Sequence, residues 1–273
     1  MCFQIRMSTN IVEATRRILA DRVSGSTSLA KRLLKALVET KPTPEEALVA
    51  LQTISSSAKS MVILRNVSST CYKLIERGAP PSEAAEKILE ELDRSVEECV
   101  GEGVIRLGGY KRFLTLSNSD QLLKLFTALS PAMVYVLESR PGGEGAILAK
   151  TIKKHGKPAT MAPDLSAHIL CGRVDCVVVG TDAVYERGFV NKLGTGLLTH
   201  LCAAYSKPIY AITTKWKVAE ASRSGDRAGL RSGYNSVFEW VDSSELSSYI
   251  SELGTLEPRG AYKRLLKELK AKT

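Results

Sequence analysis

The sequence predicts an α/β chain in two parts: a helical subdomain over residues 1–104 and a parallel-sheet domain over residues 105–273. Three observations carry this reading. Before about Leu107, apolar residues recur at helical spacing between cap and stop signals, and nothing alternates with period two. After it, short apolar runs are separated by helical windows, the alternation expected of βαβ units and a parallel sheet. Finally, Val174-Asp175-Cys176-Val177-Val178-Val179 is β-branched and nearly continuous, as a central strand covered on both faces requires.

Each element has its own signal. Ser8-Thr9-Asn10 caps a helix running toward Arg22, and Gly25-Ser26 opens a second through Ala30, Leu33, Leu34 and Leu37. Lys41-Pro42-Thr43-Pro44-Glu45-Glu46 stops that helix and starts another, with Pro44 in the first turn. Pro80-Pro81-Ser82-Glu83 begins a long amphipathic helix through Ala84, Ile88, Leu92 and Val96. The strand candidates are Arg112–Leu116, Met133–Leu137, Ala159–Met161, Val174–Val179 and Ile209–Thr213. Between them Asp120–Leu129, Glu144–Lys154, Leu165–Leu170 and Thr195–Tyr205 read as helices. The polar segment from Arg223 to Gly233 reads as a mobile loop.

Composition narrows the class. With 273 residues, 44% hydrophobic and 25% charged, the chain is not disordered, collagenous or coiled-coil. No window of ~18 uncharged apolar residues is present, so no membrane span is expected. Met1 to Met7 is too short for a secretory signal, whichever methionine is the start, and the expected location is the cytoplasm. The net charge of +9 comes from scattered lysines and arginines with no interleaved aromatics. It reads as solvated surface or a face for an anionic partner, and nucleic acid is not the expected partner. The cysteines at 2, 71, 99, 171, 176 and 202 form no Cys-x-x-Cys pair, and His155, His168 and His200 are scattered. No metal and no cofactor are expected. The spacing of Cys171 and Cys176 allows a disulfide, but in a cytosolic chain buried reduced thiols are the reading.

Two clusters carry chemistry. The first runs from Gly180-Thr181-Asp182 through Asn191-Lys192-Leu193-Gly194-Thr195, joining a buried strand to a helix. Its glycines allow close backbone approach, and Lys192 with the amides near Thr195 suits a phosphate at a helix start. An ordinary turn is the competing reading. The second is Glu138-Ser139-Arg140-Pro141-Gly142-Gly143-Glu144-Gly145, also at a strand end, where Arg140 suits a bidentate clamp on an oxyanion. Its competing reading is a surface turn.

Val177-Val178-Val179-Gly180-Thr181-Asp182-Ala183-Val184, followed by Gly188-Phe189-Val190-Asn191-Lys192-Leu193-Gly194-Thr195, resembles one superfamily's signature. That superfamily comprises the alpha, beta and delta regulatory subunits of translation initiation factor 2B, ribose-1,5-bisphosphate isomerase and methylthioribose-1-phosphate isomerase. Phe113-Leu114-Thr115, Glu138-Ser139-Arg140-Pro141, Pro208-Ile209-Tyr210-Ala211 with Lys217, Asn235-x-x-Phe238-Glu239 and Ile250–Gly254 agree in order. The resemblance spans residues 105–258. Over the helical part only Asp21–Ser26 and Leu64-Arg65-Asn66 echo it.

The resemblance implies a helical N-terminal domain, a Rossmann-like C-terminal domain and self-association, as a dimer or larger, through the latter. It also implies phosphate-holding roles for Gly25, Arg140, Asn191, Lys192 and Lys217. The family's isomerases interconvert a phosphorylated aldose and ketose with a cysteine and an aspartate, two titratable groups facing each other across a pocket. The aspartate maps to Asp182, whose competing role is to cap its loop. The cysteine position holds Ser117, and the arginine expected shortly after Gly25 is replaced, Ser28 standing nearest. A serine needs a strong neighbouring base to ionise where a cysteine does not. The first expectation is therefore a non-catalytic regulatory protein, binding a sugar phosphate or nucleotide, initiation factor 2, or both. The second is a ribose-1,5-bisphosphate-type isomerase with Asp182 as general acid/base and Ser117 in support.

Overall fold

The computed structural model describes residues 10–21, 24–58, 61–130, 132–219 and 237–271. Cys2 and the 223–233 segment lie outside the described residues. Two compact units meet in sequence between Asp93 and Arg94.

The N-terminal unit is helical. Asn10 caps α1 (Ile11–Ala20) by accepting the Val12 N–H at 2.9 Å. Helix α2 (Ser26–Thr40) ends on Lys41 in the left-handed region, and α3 (Pro44–Ser57) restarts with a capping box. The Thr43 hydroxyl accepts the Glu46 N–H at 3.3 Å, while the Glu46 carboxylate accepts the Thr43 N–H at 2.9 Å. Helices α4 (Val62–Glu76) and the start of α5 (Pro81–Leu107) complete the unit. Ala30, Leu33, Leu34 and Leu37, the apolar positions predicted for α2, are buried in its core with Leu29 and, from α3, Ala47, Leu51 and Ile54. Thr43→Ala is expected to lower this unit's stability by about 1 kcal/mol, read by far-ultraviolet circular dichroism on heating. A midpoint unchanged from the parent would show that the box is not stabilising.

The second unit contains a mostly parallel sheet of seven strands. They are β1 (Arg112–Leu116), β2 (Met133–Leu137), β3 (Ala159–Ala162), β4 (Cys176–Val179), β7 (Ile209–Ile212), β9 (Ser248–Ser251) and β10 (Gly254–Leu256). Their order is β10-β9-β7-β4-β1-β2-β3, with only β10 antiparallel. Between them run α6 (Asp120–Ala128), α7 (Gly145–Lys154), α8 (Ala167–Arg173) and α9 (Thr195–Ala204), followed after the sheet by α10 (Pro258–Ala271), which is broken at Arg259-Gly260. Phe113, Val134, Val136, Cys176, Val178, Tyr210 and Ile212 bury in one core with Leu122, Leu125 and Leu148 from the helices. This is the expected Rossmann-like arrangement.

The structure corrects one reading. The segment between β4 and α9 is not a simple connecting loop. It forms β5 (Ala183–Val184) and β6 (Gly188–Lys192), and with β8 (Phe238–Asp242) they build a separate three-stranded antiparallel sheet. All five residues of β6 are buried. Gly188 lies against the Trp240 ring, where an added Cβ would stand 2.4 Å from Cζ2, so a bare backbone is required there. The predicted strand Val174–Val179 is shorter, beginning at Cys176, because Asp175 turns its carboxylate to the Lys111 and Arg112 amides at 2.8 and 2.9 Å.

Candidate functional site

Strand order places the site. After β1 the chain moves outward to β2 and β3, then returns to set β4 on the other side of β1. In a doubly wound sheet this reversal opens a crevice at the carboxyl ends of the two central strands. Ser117 follows β1 and Gly180-Thr181-Asp182 follows β4, so the two segments flank that crevice. The 138–145 turn after β2 and the Thr213–Lys217 segment after β7 extend the same edge.

Ser117 has φ of 66°, a left-handed conformation costing on the order of 1 kcal/mol for a non-glycine residue. Its neighbours hold it there. The Ser117 N–H donates to the Ser139 hydroxyl at 2.6 Å, and Ser139 has φ of 68°. Asp164, after β3, in turn accepts the Ser139 and Arg140 amides at 2.7 and 2.8 Å. Asp164 is therefore a positioning residue, two steps from the site, that sequence reasoning missed. Only its place after a strand end hinted at it.

The Ser117 hydroxyl donates to Glu144 Oε1 at 3.1 Å, and Lys192 Nζ lies 2.7 Å from the same oxygen. Lys192 is buried at 4% exposure on β6. Asn191, beside it, donates to the Thr195 hydroxyl at 2.9 Å, and Thr195 donates to the Lys192 carbonyl at 2.7 Å. Gly180 closes the set: an added Cβ would stand 3.6 Å from Ser119 Oγ and 3.8 Å from Asn191 Oδ1.

A second group surrounds Asp182 and Lys217. Lys217 is 3% exposed, and its ammonium donates to the Thr181 carbonyl at 2.6 Å. Burial pushes its pKa down, opposed chiefly by the negative charge of Asp182 and more weakly by that of Asp120. Asp182 is half-buried, and its N–H donates to the Val190 carbonyl at 2.8 Å. Within this unit the structure thus groups Ser117, Asn191 and Lys192 and sets Asp182 beside Lys217. Arg140 differs: its guanidinium is two-thirds exposed and pairs with Glu138 at 2.6 Å. Gly25 belongs to the N-terminal unit, as the residue before α2.

The start of α9 carries an internal anion. Glu239 Oε1 accepts the Gly194 and Gly196 amides at 2.6 and 3.0 Å, the helix end that the sequence offered to a phosphate. Glu239 pairs with Asn191 across the β6–β8 ladder, so only the second sheet reveals it. The described cysteines are buried free thiols. Burial pushes Cys71 up to about 12 and raises Cys99 and Cys176 further, so none of these three stands ready as a thiolate.

Fold and site define a Rossmann-like α/β protein whose polar cluster sits at the switch point between β1 and β4. Residues 3–232 match the initiation factor 2 subunit family, and the chain belongs to it. It is 28% identical over 221 residues to translation initiation factor eIF2B subunit alpha of Dictyostelium discoideum, covering 76% of this chain and 68% of that one. It is 25% identical over 232 residues to ribose 1,5-bisphosphate isomerase of Methanocaldococcus jannaschii, covering 76% and 75%. The fold matches the translation initiation factor eIF-2B of Pyrococcus horikoshii OT3 at a TM-score of 0.79 and 22% identity, over 91% and 97% of the two chains. Relatives assemble: a tetrameric eIF2B-beta2-delta2 complex from C. thermophilum shares the fold at TM-score 0.68 and 18% identity, over 93% and 94%.

Proposed function

We propose that this chain is a non-catalytic regulatory member of its family that binds a phosphorylated small molecule at the β1/β4 crevice. The single observation that carries the reading is the state of Ser117. Its hydroxyl faces Glu144, a carboxylate already committed to Lys192, and a carboxylate held by an ammonium is a weak base for an alcohol. Lys192, Asn191 and Lys217 supply the polar lining, and Asp182 caps the site beside Lys217. By family resemblance the protein self-associates through the Rossmann-like unit and contacts initiation factor 2. A cytoplasmic location is part of this reading, following from the translation-factor family.

The alternative is an aldose–ketose isomerase, and one observation favours it. Asp182 follows β4 at the strand end where a proton transfer needs a carboxylate, and its charge acts on the buried Lys217. The test is incubation with ribose 1,5-bisphosphate, with product followed by NMR and binding by calorimetry. Binding of the sugar phosphate, a nucleotide or initiation factor 2 without conversion is the expected result. Turnover abolished by Asp182→Asn would establish the isomerase instead. No affinity for any of these partners would remove the regulatory reading.

A further inference from the structure

We propose that Glu144 is a built-in competitor for the anion position on Lys192, so that a ligand phosphate enters by displacing it. The inference rests on the reading of the crevice as a phosphate-ester site and names the residue that sets its affinity and ligand charge.

The geometry is specific. A single oxygen, Glu144 Oε1, takes the Lys192 ammonium at 2.7 Å and the Ser117 hydroxyl at 3.1 Å. These are a cation and a hydroxyl donor converging at the end of the central strand, the pair that a phosphoryl oxygen requires. The other oxygen, Oε2, lies over Gly142, where an added Cβ would stand 2.3 Å from it. The absence of a side chain at 142 is what leaves room for the carboxylate. Glu144 thus occupies the place of a bound anion.

Its hold is of an exchangeable kind. Glu239 also stands in for an anion, but two backbone amides and a strand ladder fix it. Glu144 is held by two side chains, at a turn on the rim just before α7, and its side chain is 21% exposed. Rotation about its own torsions releases Lys192 and Ser117 together. Arg140 is committed to Glu138 on the exposed rim, and Lys217 to the Thr181 carbonyl, which leaves Lys192 as the exchange point.

The competition sets the ligand class. A monoanion such as a carboxylate only repeats what Glu144 already supplies to Lys192. A phosphate monoester dianion brings a second charge and two further acceptor oxygens, so it is the anion that prevails.

Glu144→Gln keeps the shape and removes the competing charge. Calorimetry with inorganic phosphate is expected to show roughly tenfold tighter binding than the parent. Acetate is expected to bind the variant measurably and the parent not at all. Glu144→Asp, one methylene too short to reach Lys192, is expected to bind phosphate severalfold tighter and keeps the test open should the Gln variant fail to fold. Equal or weaker phosphate binding in these variants overturns the proposal, because Glu144 then serves only to position Lys192. If the parent binds ribose 1,5-bisphosphate and the variants bind it no tighter, the competition fails while the functional reading stands. If the parent binds no phosphate ester but Glu144→Gln binds inorganic phosphate, Glu144 holds the anion position without yielding it, and both the exchange and the functional reading fail. Phosphate binding by neither protein overturns the competition.

Discussion

Gly145→Ala is expected to cost the Rossmann-like unit about 3 kcal/mol and to detach Glu144 from Lys192. Gly145 opens α7 directly over the end of β2, donating its N–H to the Glu138 carbonyl at 3.2 Å. An added Cβ would stand 1.9 Å from the Leu137 carbonyl oxygen and 2.9 Å from its carbon. Both contacts are backbone, and Leu137 is locked by its pairing with Leu116 and Ala162 in the sheet. No rotamer change relieves the clash, so the helix start has to lift. Glu144 is the residue before it and lifts too. The tryptophans of the chain are Trp216 and Trp240, both in this unit, so fluorescence during urea unfolding reports it alone. A loss below about 1 kcal/mol would show that α7 slides without strain.

The second large effect is a pH dependence seated on Glu252. This residue follows β9, and its Oε1 accepts the Lys215 amide at 2.9 Å, while Oε2 has no hydrogen-bond partner among the described residues. Burial raises its pKa from 4.5 to about 7, opposed by amide hydrogen bonds and the Lys215 charge and reinforced by Glu98. The folded state therefore binds a proton that the unfolded state has already released between these two values. Stability is fully present below pH 4.5 and is lost as pH rises through 7, by about 3 kcal/mol in all. Asp175 and Asp242 work in the opposite sense below this window. Hydrogen bonds hold Asp242 below 3.8, and they outweigh partial burial to do the same for Asp175. Urea midpoints measured by tryptophan fluorescence are thus expected to fall from pH 4.5 to 7.5. Glu252→Gln removes the ionisation, and comparison with the parent cancels contributions common to both. The variant is expected to lose most of the slope and to exceed the parent above pH 7. A parent midpoint that stays level or rises over that interval would contradict the assignment.

Much of the fold is readable locally. Arg112–Leu116 and Met133–Leu137 form strands with the bounds their apolar runs indicate, and Thr43 with Glu46 builds the expected cap. A strand covered on both faces and a capped helix declare themselves within a few residues, because periodicity and capping act at short range. The run before Gly180 likewise marks the central strand, and with it the edge where Ser117 and Asp182 emerge. The small sheet was not readable in this way. Strand β5 has two residues, and β8, which completes the sheet, follows only after α9 and β7.

Legible along the chain alone are the first five strands of the parallel sheet with the helices between them, the family, and the serine that stands at 117 after β1. Tertiary structure alone decided the fate of the charges: Lys192 on Glu144, Arg140 on Glu138, the α9 amides on Glu239, and Lys217 beside Asp182. The reason is physical. Local propensity is written along the chain, whereas the partner of a buried charge is fixed by strand order, which brings residues from four separate loops to one edge and leaves each cation the carboxylate or carbonyl that burial demands.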